Sequence, residues 1–386
     1  MGALGAARAS AAATRTAGPD PGARAWRVAA ALVVVTRVAL CAVAWAAAWY
    51  LADGRGPLDI GFLELWNRWD ARHFLQVAEY GYTDPRTDPH ASAFFPLFPL
   101  VVRALSWTGL DPIAAGMLVS LGASIVACAF LVGLAERDEG RDAGPRAALY
   151  LLLAPTAVFL VAPYSEALFL AGAIPAFHYA RAGRWRRAGL CAAIAVATRF
   201  AGVFVLAGLA GEALRARATT RGRDVAGALA LGALPLVAYG AYLARVEGSP
   251  FHFFHDQRVG WLRAPTNPVD ALRATLGTWG SDTPTNWMFA WRIEVVAAVV
   301  GLALVGVALA RREWGYAAFM GATMAALVSS TWLYSIPRML VTFFPAAVWA
   351  AGWTRRDARR HEAAIALLAP FAALGAIVFT RNAWFY

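Results

Sequence analysis

The sequence predicts an all-α protein that crosses a membrane many times. Of the 386 residues, 60% are hydrophobic and 15% are charged, whereas ordinary soluble domains are about half apolar and a quarter charged. The apolar residues are also gathered into long runs, many of which approach the roughly 20 residues that a helix needs to span a bilayer. The composition therefore excludes a cytosolic globular protein.

Ten apolar stretches predict the transmembrane segments. They are residues 26–51, 112–134, 147–162, 165–180, 188–213, 225–244, 293–310, 314–330, 336–353 and 363–380. The stretch 188–213 has Arg199 at its centre, and because a guanidinium is costly in hydrocarbon we predict two short helices with Arg199 at the turn. The run 91–107 contains Pro96 and Pro99 and is predicted not to cross. The result is a bundle of about eleven transmembrane helices.

The arginines predict the orientation. All 35 basic residues are Arg, and the net charge is +11. When the predicted spans alternate in direction, most of the arginines fall on one side of the membrane, in the N-terminal segment and in the short loops on the same side. Short loops rich in arginine are typical of the cytoplasmic side. We therefore expect a cytoplasmic N-terminus in a multi-pass protein of the cell membrane, with the C-terminus outside. Because the Arg clusters lie between apolar runs, nucleic acid is not an expected partner.

The predicted domain organisation is simple. Residues 1–25 have no apolar periodicity and are expected to form a disordered cytoplasmic tail. Residues 26–386 are expected to form a single integral-membrane domain with two long outer loops, at about 52–111 and 245–291. The three cysteines lie inside apolar runs without metal-ligand spacing, and the His252, His255 and Asp256 group has no further ligand cluster beside it. No metal and no cofactor are predicted.

The first outer loop carries the candidate catalytic residue. On one continuous helix, a single stripe would contain Phe62, Trp66, Asp70, His73, Val77 and Tyr80. An amphipathic helix at the membrane interface explains the aromatic residues, but it does not explain Asp70. Either this carboxylate pairs with a nearby Arg, or loss of water raises its pKa and makes it a useful base.

Further candidates fall on the same predicted face. Phe95 lies in the Pro-interrupted segment 91–100, which could wall a site for an isoprenoid chain. Glu166 is either a simple helix-start carboxylate or a site residue. Arg199 and Arg338 lie at outer turns, where a guanidinium needs a carboxylate or a phosphate as its partner. This combination suits a reaction on a lipid-linked anionic substrate at the membrane surface.

Six segments, taken in order along the chain, resemble the PIG-V mannosyltransferase family. They are residues 68–71, 79–82, 93–100, 162–169, 197–202 and 335–338. In eukaryotes this family adds the second mannose during glycosylphosphatidylinositol assembly. The composition looks like that of a bacterial relative, so the acceptor stays open among a glycolipid, a lipoglycan and a secreted protein.

The resemblance implies a GT-C glycosyltransferase that takes mannose from a polyprenyl-phosphate donor on the extracytoplasmic face. Asp70 matches the acidic residue that such folds use as catalytic base in the first outer loop. The expected reaction inverts the anomeric centre, and Arg199 and Arg338 are expected to bind the departing phosphate. The other expected substrate-binding residues are His73, Tyr82, Phe95, Tyr164 and Glu166.

A secondary transporter for an amphipathic or anionic solute is the alternative function. Such a protein would carry charges at mid-depth in the membrane, broken helices and paired repeats. The candidate residues here gather at one face, and no matching halves are visible in the sequence. The pattern therefore favours an enzyme.

Overall fold

The computed structural model describes residues 20–51, 60–215, 220–279 and 284–383. The regular elements of these residues are helices, apart from an isolated β-bridge between Pro265 and Ser330. The first eight α-helices are α1 (Ala23–Tyr50), α2 (Asp70–Tyr80), α3 (Leu97–Ser106), α4 (Pro112–Glu139), α5 (Ala143–Leu152), α6 (Glu166–Arg181), α7 (Trp185–Thr198) and α8 (Gly202–Arg215). The others are α9 (Gly222–Val246), α10 (His252–Gly260), α11 (Pro268–Gly277), α12 (Thr285–Ala310), α13 (Trp314–Val328), α14 (Ile336–Leu340), α15 (Phe344–Thr354) and α16 (Ala358–Thr380). The predicted all-α polytopic membrane fold is confirmed.

Five of the described helices are long and apolar enough to cross a bilayer: α1, α4, α9, the part of α12 from Trp287 to Ala310, and α16. The other predicted crossings consist of shorter pieces. The count of eleven therefore stays a prediction, as does the GT-C architecture.

Two predicted spans are interrupted. In the stretch 147–162, α5 ends at Leu152 and a 3₁₀ turn follows at Ala157–Leu160. Pro155 accounts for the end of α5, because the residue before a proline is driven out of the α conformation. In the stretch 336–353, α14 and α15 are separate, and α15 begins with a proline in its first turn. The prediction of a single continuous helix is therefore wrong for both stretches.

The pair of short helices predicted around Arg199 is confirmed. Helix α7 ends at Thr198 and α8 begins at Gly202. The indole of Trp185, at the start of α7, donates to Thr220 just beyond α8, at 3.2 Å. The start of α7 and the end of α8 therefore lie on one side of the protein, and Arg199 lies at the opposite tip of a hairpin.

Most charged contacts on that side involve the arginines of the predicted inner loops. Arg24 pairs with Glu136 at 2.6 Å, and Arg311 pairs with Glu139 at 2.6 Å. Arg181, the last residue of α6, pairs with Glu212 at 2.7 Å. Since α6 has 16 residues, its first residue lies about 24 Å from this Arg-rich end. The protein thus has an Arg-rich end and an opposite end, where α6 begins.

Glycines allow the short helices to pack closely. A Cβ atom on Gly172 of α6 would come within 2.6 Å of the Ala195 nitrogen of α7, and one on Gly211 of α8 would come within 2.5 Å of the Trp314 oxygen of α13. Small residues at helix interfaces permit such backbone contact inside membranes. Helices α6, α7, α8 and α13 therefore form a dense centre that holds the Arg199 hairpin in place.

The predicted tail and outer loops are described only in part, and their bounds stay a prediction. Helix α1 begins at Ala23, three residues before the predicted start of the membrane domain, and residues 1–19 of the predicted tail lie outside the described residues. The first outer loop contains α2, α3 and two 3₁₀ turns, while its residues 52–59 are not described. The second contains α10 and α11. In their described residues, both predicted loops therefore contain several helices.

Candidate functional site

The aromatic stripe of the first outer loop is not one helix. A 3₁₀ turn covers Leu63–Trp66, and α2 begins at Asp70 after a break. Trp69 at the break has φ +51° and ψ −124°, a conformation that side chains rarely adopt and that tends to occur at functional sites. The prediction of a continuous helix is wrong here, and the break places Asp70 at a helix start, where the helix dipole favours a carboxylate.

Tyr164 forms hydrogen bonds to the backbone on both sides of the break at Trp69. Its hydroxyl donates to the Arg68 carbonyl at 3.0 Å and accepts from the Asp70 backbone N–H at 3.1 Å. The Tyr164 side chain is buried, with 1% exposure. Because it holds the residues on both sides of Trp69, Tyr164 fixes the position of the Asp70 carboxylate.

Asp70 belongs to a chain of ion pairs. Arg338 donates from Nη1 to Asp70 Oδ2 and from Nε to Glu166 Oε1, the latter at 2.5 Å. Arg199 donates from Nη1 to the same Glu166 oxygen at 2.7 Å. The Glu166 side chain is fully buried, whereas the Asp70 side chain is 25% exposed. The structure thus brings Asp70, Glu166, Arg199 and Arg338 together from four distant parts of the chain.

The short helix α14 aims Arg338 at the carboxylates. Ser335, just before α14, has φ +59°, in the left-handed region. Glu294, which is fully buried in α12, accepts from the backbone N–H groups of Ser335 at 2.6 Å and Ile336 at 2.8 Å. These bonds satisfy donors that a helix start leaves free. Glu294 therefore acts on the site indirectly, by fixing the start of α14.

A cavity of about 480 Å³ lies beside the ion pairs. Asp70, Tyr164, Arg199 and Arg338 form part of its wall. Much of the remaining wall is apolar, and it includes Phe94, Phe95, Phe200, Phe204, Phe253, Phe254 and Leu327. A cavity with charged groups at one part and aromatic groups at another suits an amphipathic ligand.

The expectation of a raised pKa at Asp70 is wrong. Burial by itself raises the pKa of Asp70, but the charge and hydrogen bond of Arg338, together with the charges of His73 and Arg263, outweigh burial and lower this pKa below its ordinary value. Asp70 is therefore ionised at neutral pH. The salt bridge considered as an alternative is present, and it does not remove Asp70 from the cavity.

Arg263 is a third guanidinium in the wall of the cavity. Its Nη2 donates to Ser335 Oγ at 3.2 Å and to the Tyr334 carbonyl at 3.4 Å. Its Nε is buried without a hydrogen-bond partner, and among the described residues Arg263 makes no ion pair, unlike Arg199 and Arg338. Arg263 therefore has a donor available for an anion in the cavity.

The other predicted site residues are placed as follows. Phe95 lines the cavity and packs against Tyr239, with ring centres 4.9 Å apart. His73 stacks on Phe94 at 5.1 Å and lines a second, neighbouring cavity instead. Tyr82 lines neither of these cavities; its hydroxyl donates to the Phe94 carbonyl at 2.7 Å. Tyr82 thus shapes the cavity wall through Phe94 rather than facing the cavity.

The His-rich segment of the second outer loop forms a different arrangement. Asp256, with 1% side-chain exposure, lies 3.3 Å from His90 and 3.2 Å from His252. No cluster of three or more His, Cys, Asp or Glu side chains suited to a metal occurs in the part of the chain that the structure describes. The group joins the two outer loops.

Sequence reasoning missed Arg263 and Glu294. Glu294 had a usable signal, because a carboxylate inside an apolar span is expensive and marks a structural or functional site. No sequence signal distinguishes Arg263, since it is one of several arginines in the same predicted loop. Only the fold shows that it reaches the cavity.

Part of the chain is similar to known proteins. The mannosyltransferase (PIG-V) family model matches residues 60–214. GPI alpha-1,6-mannosyltransferase 2 of Cricetulus griseus is 36% identical over 156 residues, or 37% of this chain and 30% of the relative. The Mus musculus protein of the same name is 36% identical over 159 residues, or 38% and 31%. No solved structure matches.

The chain therefore spans less than a third of the length of these relatives. The matched segment contains Asp70, Tyr164, Glu166 and Arg199, which are the residues that place two carboxylates and a guanidinium beside the cavity. Residues 60–214 of the chain are therefore similar to the PIG-V mannosyltransferase family.

Proposed function

We propose that the protein is an inverting mannosyltransferase that moves mannose from a polyprenyl-phosphate donor to a lipid-linked or glycan acceptor. The observation that carries this proposal is an ionised carboxylate, Asp70, held by Arg338 at the wall of an amphipathic cavity. This carboxylate lies within the segment that matches the family. The relatives are named as mannosyltransferases.

In the proposed reaction, Asp70 Oδ accepts the proton of the acceptor hydroxyl while that oxygen attacks the anomeric carbon of the donor. The bond between the anomeric carbon and the donor phosphate oxygen breaks with its electron pair, so polyprenyl phosphate leaves with one more negative charge. Arg338 forms an ion pair with Asp70 and also lines the cavity. It can therefore stabilise the negative charge of the Asp70 carboxylate on one side of the sugar and that of the leaving phosphate on the other.

Arg263 is the first guanidinium that we expect the donor phosphate to meet. Arg199 and Arg338 already share Glu166, and a phosphate would have to compete with that carboxylate for them. Arg263 offers a buried Nε without such a competitor. The aromatic wall at Phe200, Phe253 and Phe254 would hold the first isoprene units of the donor.

We place the Arg-rich end in the cytoplasm and the cavity at the extracytoplasmic face of the cell membrane. The support is the gathering of the loop arginines at one end, which is the distribution of the positive-inside rule. The cavity lies at the opposite end, where α6 begins with Glu166.

The direct test is an assay of the purified protein with radiolabelled polyprenyl-phosphate-mannose and a total lipid extract. We expect covalent transfer of label to a lipid or glycan, which chromatography and mass spectrometry would identify. Movement of a solute across vesicles without covalent labelling would contradict the proposal and support a transporter.

The variant Arg263→Gln should raise the half-saturating donor concentration by about tenfold or more, because a hydrogen bond between charged groups contributes about 1.5–3 kcal/mol. The matched control is Arg258→Gln, which changes an exposed Arg of α10 that does not line the cavity. Initial rates over a donor series measure the effect. Equal donor dependence in both variants would contradict phosphate binding by Arg263.

The pH dependence of transfer should change when Arg338 is neutralised. Transfer needs ionised Asp70, and since Arg338 holds the pKa of this carboxyl below its ordinary value, acidification should remove the base only at a lower pH than for an ordinary aspartate. In Arg338→Gln, burial should dominate and raise the pKa of Asp70. The acidic limb of the rate profile should therefore move to higher pH, while Arg338→Lys should keep it low. Identical profiles in both variants would contradict this coupling.

A further inference from the structure

Helix α10 forms part of the cavity wall and also packs against the first outer loop. Phe253 and Phe254 of α10 line the cavity, and so does Arg263, shortly after the end of this helix. On the first outer loop, His90 lies so close that a Cβ atom on Gly260 would come within 2.9 Å of its Cβ atom. The contact between α10 and the first outer loop therefore sets where this part of the wall lies.

A buried carboxylate, Asp256, joins α10 to the first outer loop. The Asp256 side chain is 1% exposed, and its Oδ1 atom lies 3.3 Å from His90 Nδ1 and 3.2 Å from His252 Nε2. The Oδ2 atom is buried without a hydrogen-bond partner. Among the described residues, Asp256 forms ion pairs with these two imidazoles and with no arginine. The balance of its charge therefore depends on the imidazoles.

Other titratable groups surround this contact on both loops. They are Glu247 just after α9, Tyr239 of α9, His255 of α10 and Asp88 of the first outer loop. Glu247 Oε2 lies 3.7 Å from His252 Nε2, and Asp88 accepts a hydrogen bond from the His90 backbone N–H at 2.7 Å. Carboxylates thus surround the imidazoles, and each proton that an imidazole binds reduces the net negative charge of the group.

The imidazoles give this contact a defined dependence on pH. Imidazole is the side chain whose charge ordinarily changes between about pH 5 and pH 8. When it is protonated, its hydrogen bond to a carboxylate is charge-assisted. When it is neutral, the bond is weaker and the buried charge of Asp256 is left without balance, which is costly. The contact should therefore be strongest at mildly acidic pH and should weaken as the pH rises.

We propose that Asp256, His90 and His252 form a pH-sensitive latch that holds α10 against the first outer loop and thereby positions Arg263 in the cavity. The latch is closed when the imidazoles are protonated. Asp256 is a positioning residue, because it acts on the cavity through α10. The link to donor binding rests on the proposed function, in which Arg263 binds the donor phosphate, but the contact of α10 can be measured without transfer.

Hydrogen exchange of the detergent-solubilised full chain tests the latch directly. After correction for the intrinsic exchange rate, the amides of α10 should become about tenfold less protected between about pH 5.5 and pH 8.5, because neutral hydrogen bonds replace charged ones. Peptides from α11, in the same outer loop, should keep constant protection and serve as an internal reference. Constant protection of α10 over this range, or an equal change in α11, would overturn the proposal.

Two variants identify the titrating groups. Asp256→Asn removes the carboxylate, and the double substitution His90→Gln with His252→Gln replaces both imidazoles with amide donors that do not titrate. In each variant the protection of α10 should lose its pH dependence while α11 stays protected. The matched control is His255→Gln, which changes an exposed imidazole of α10 without an ion pair to Asp256 among the described residues. A wild-type pH profile in the double variant would overturn the assignment.

The kinetic test connects the latch to donor binding. In the wild type, the half-saturating donor concentration should rise about tenfold over the same pH range, while the maximal rate stays constant. Asp70 stays ionised throughout, because Arg338 holds its pKa low, and the charge of the donor phosphodiester does not change. In Asp256→Asn, the half-saturating donor concentration should be high at every pH. A change in the maximal rate alone would contradict the positioning role.

The two experiments also separate this inference from the proposed function. If the wild type transfers no sugar, the proposed function fails, and hydrogen exchange still decides whether the latch exists. If sugar is transferred but the protection of α10 does not depend on pH, the latch fails and the proposed function stands.

Discussion

Replacing Asp70 with Asn should lower the rate of sugar transfer by about 10²–10⁴-fold, the contribution of a well-placed general base. The amide is nearly isosteric with the carboxylate but cannot accept the proton of the acceptor hydroxyl at neutral pH. The backbone N–H of residue 70 would still donate to Tyr164, so the start of α2 should be preserved. Initial rates with saturating donor and acceptor measure the loss.

Asp111→Asn is the matched control. Asp111 is exposed and caps α4 by accepting from the N–H groups of Ile113 and Ala114, and Asn caps helices equally well. The control should therefore transfer sugar at the wild-type rate. Asp70→Asn should also still bind donor, because the cavity wall is otherwise unchanged. Normal transfer by Asp70→Asn would reject its role as base.

Replacing Glu166 with Gln should destabilise the protein more than the other substitutions. Its carboxylate is fully buried and accepts from Arg199 and Arg338 through one oxygen. Without it, the largely buried Arg199 loses its recorded ion pair and Arg338 keeps only Asp70, and loss of one partner of a buried pair costs about 3–5 kcal/mol. We expect the melting temperature to fall by roughly 5 °C or more.

The control for this substitution is Glu79→Gln, on the exposed side of α2. It should unfold within about 1–2 °C of the wild type, since exposed substitutions typically change stability by less than about 0.5 kcal/mol. Melting curves of both purified variants in one detergent make the comparison. If Glu166→Gln had the same melting temperature as the control, the proposed stabilisation of the fold by the chain of ion pairs would be contradicted.

Much of the fold could be predicted because membrane helices leave strong signals. Long apolar runs identify spans such as α1 and α4, and Arg199 within such a run predicts a hairpin, since the bilayer penalises a buried cation. Three interruptions are not predicted, although prolines lie at two of them, Pro155 and Pro345. The break at Trp69 contains neither Gly nor Pro, and its positive φ depends on the tertiary contact with Tyr164.

The candidate site could be predicted only in part, for a similar reason. Asp70, Glu166, Arg199 and Arg338 each look unusual in their own segment, so each could be named from the sequence. Their pairing could not be, because 268 positions separate Asp70 from Arg338. The direction of the Asp70 pKa shift depends on that pairing, so the sequence-based expectation of a raised pKa had the wrong sign.

The chain of ion pairs joins parts of the protein that cannot be studied separately. A fragment ending at Arg215, the end of α8, would keep Asp70 and Glu166 but lose Arg263 and Arg338. Asp70 and Glu166 would then keep Arg199 as the one guanidinium of the described site that remains. Grafting the family segment onto another scaffold, or shortening the chain for crystallography, would therefore require the two later arginines to be supplied as well.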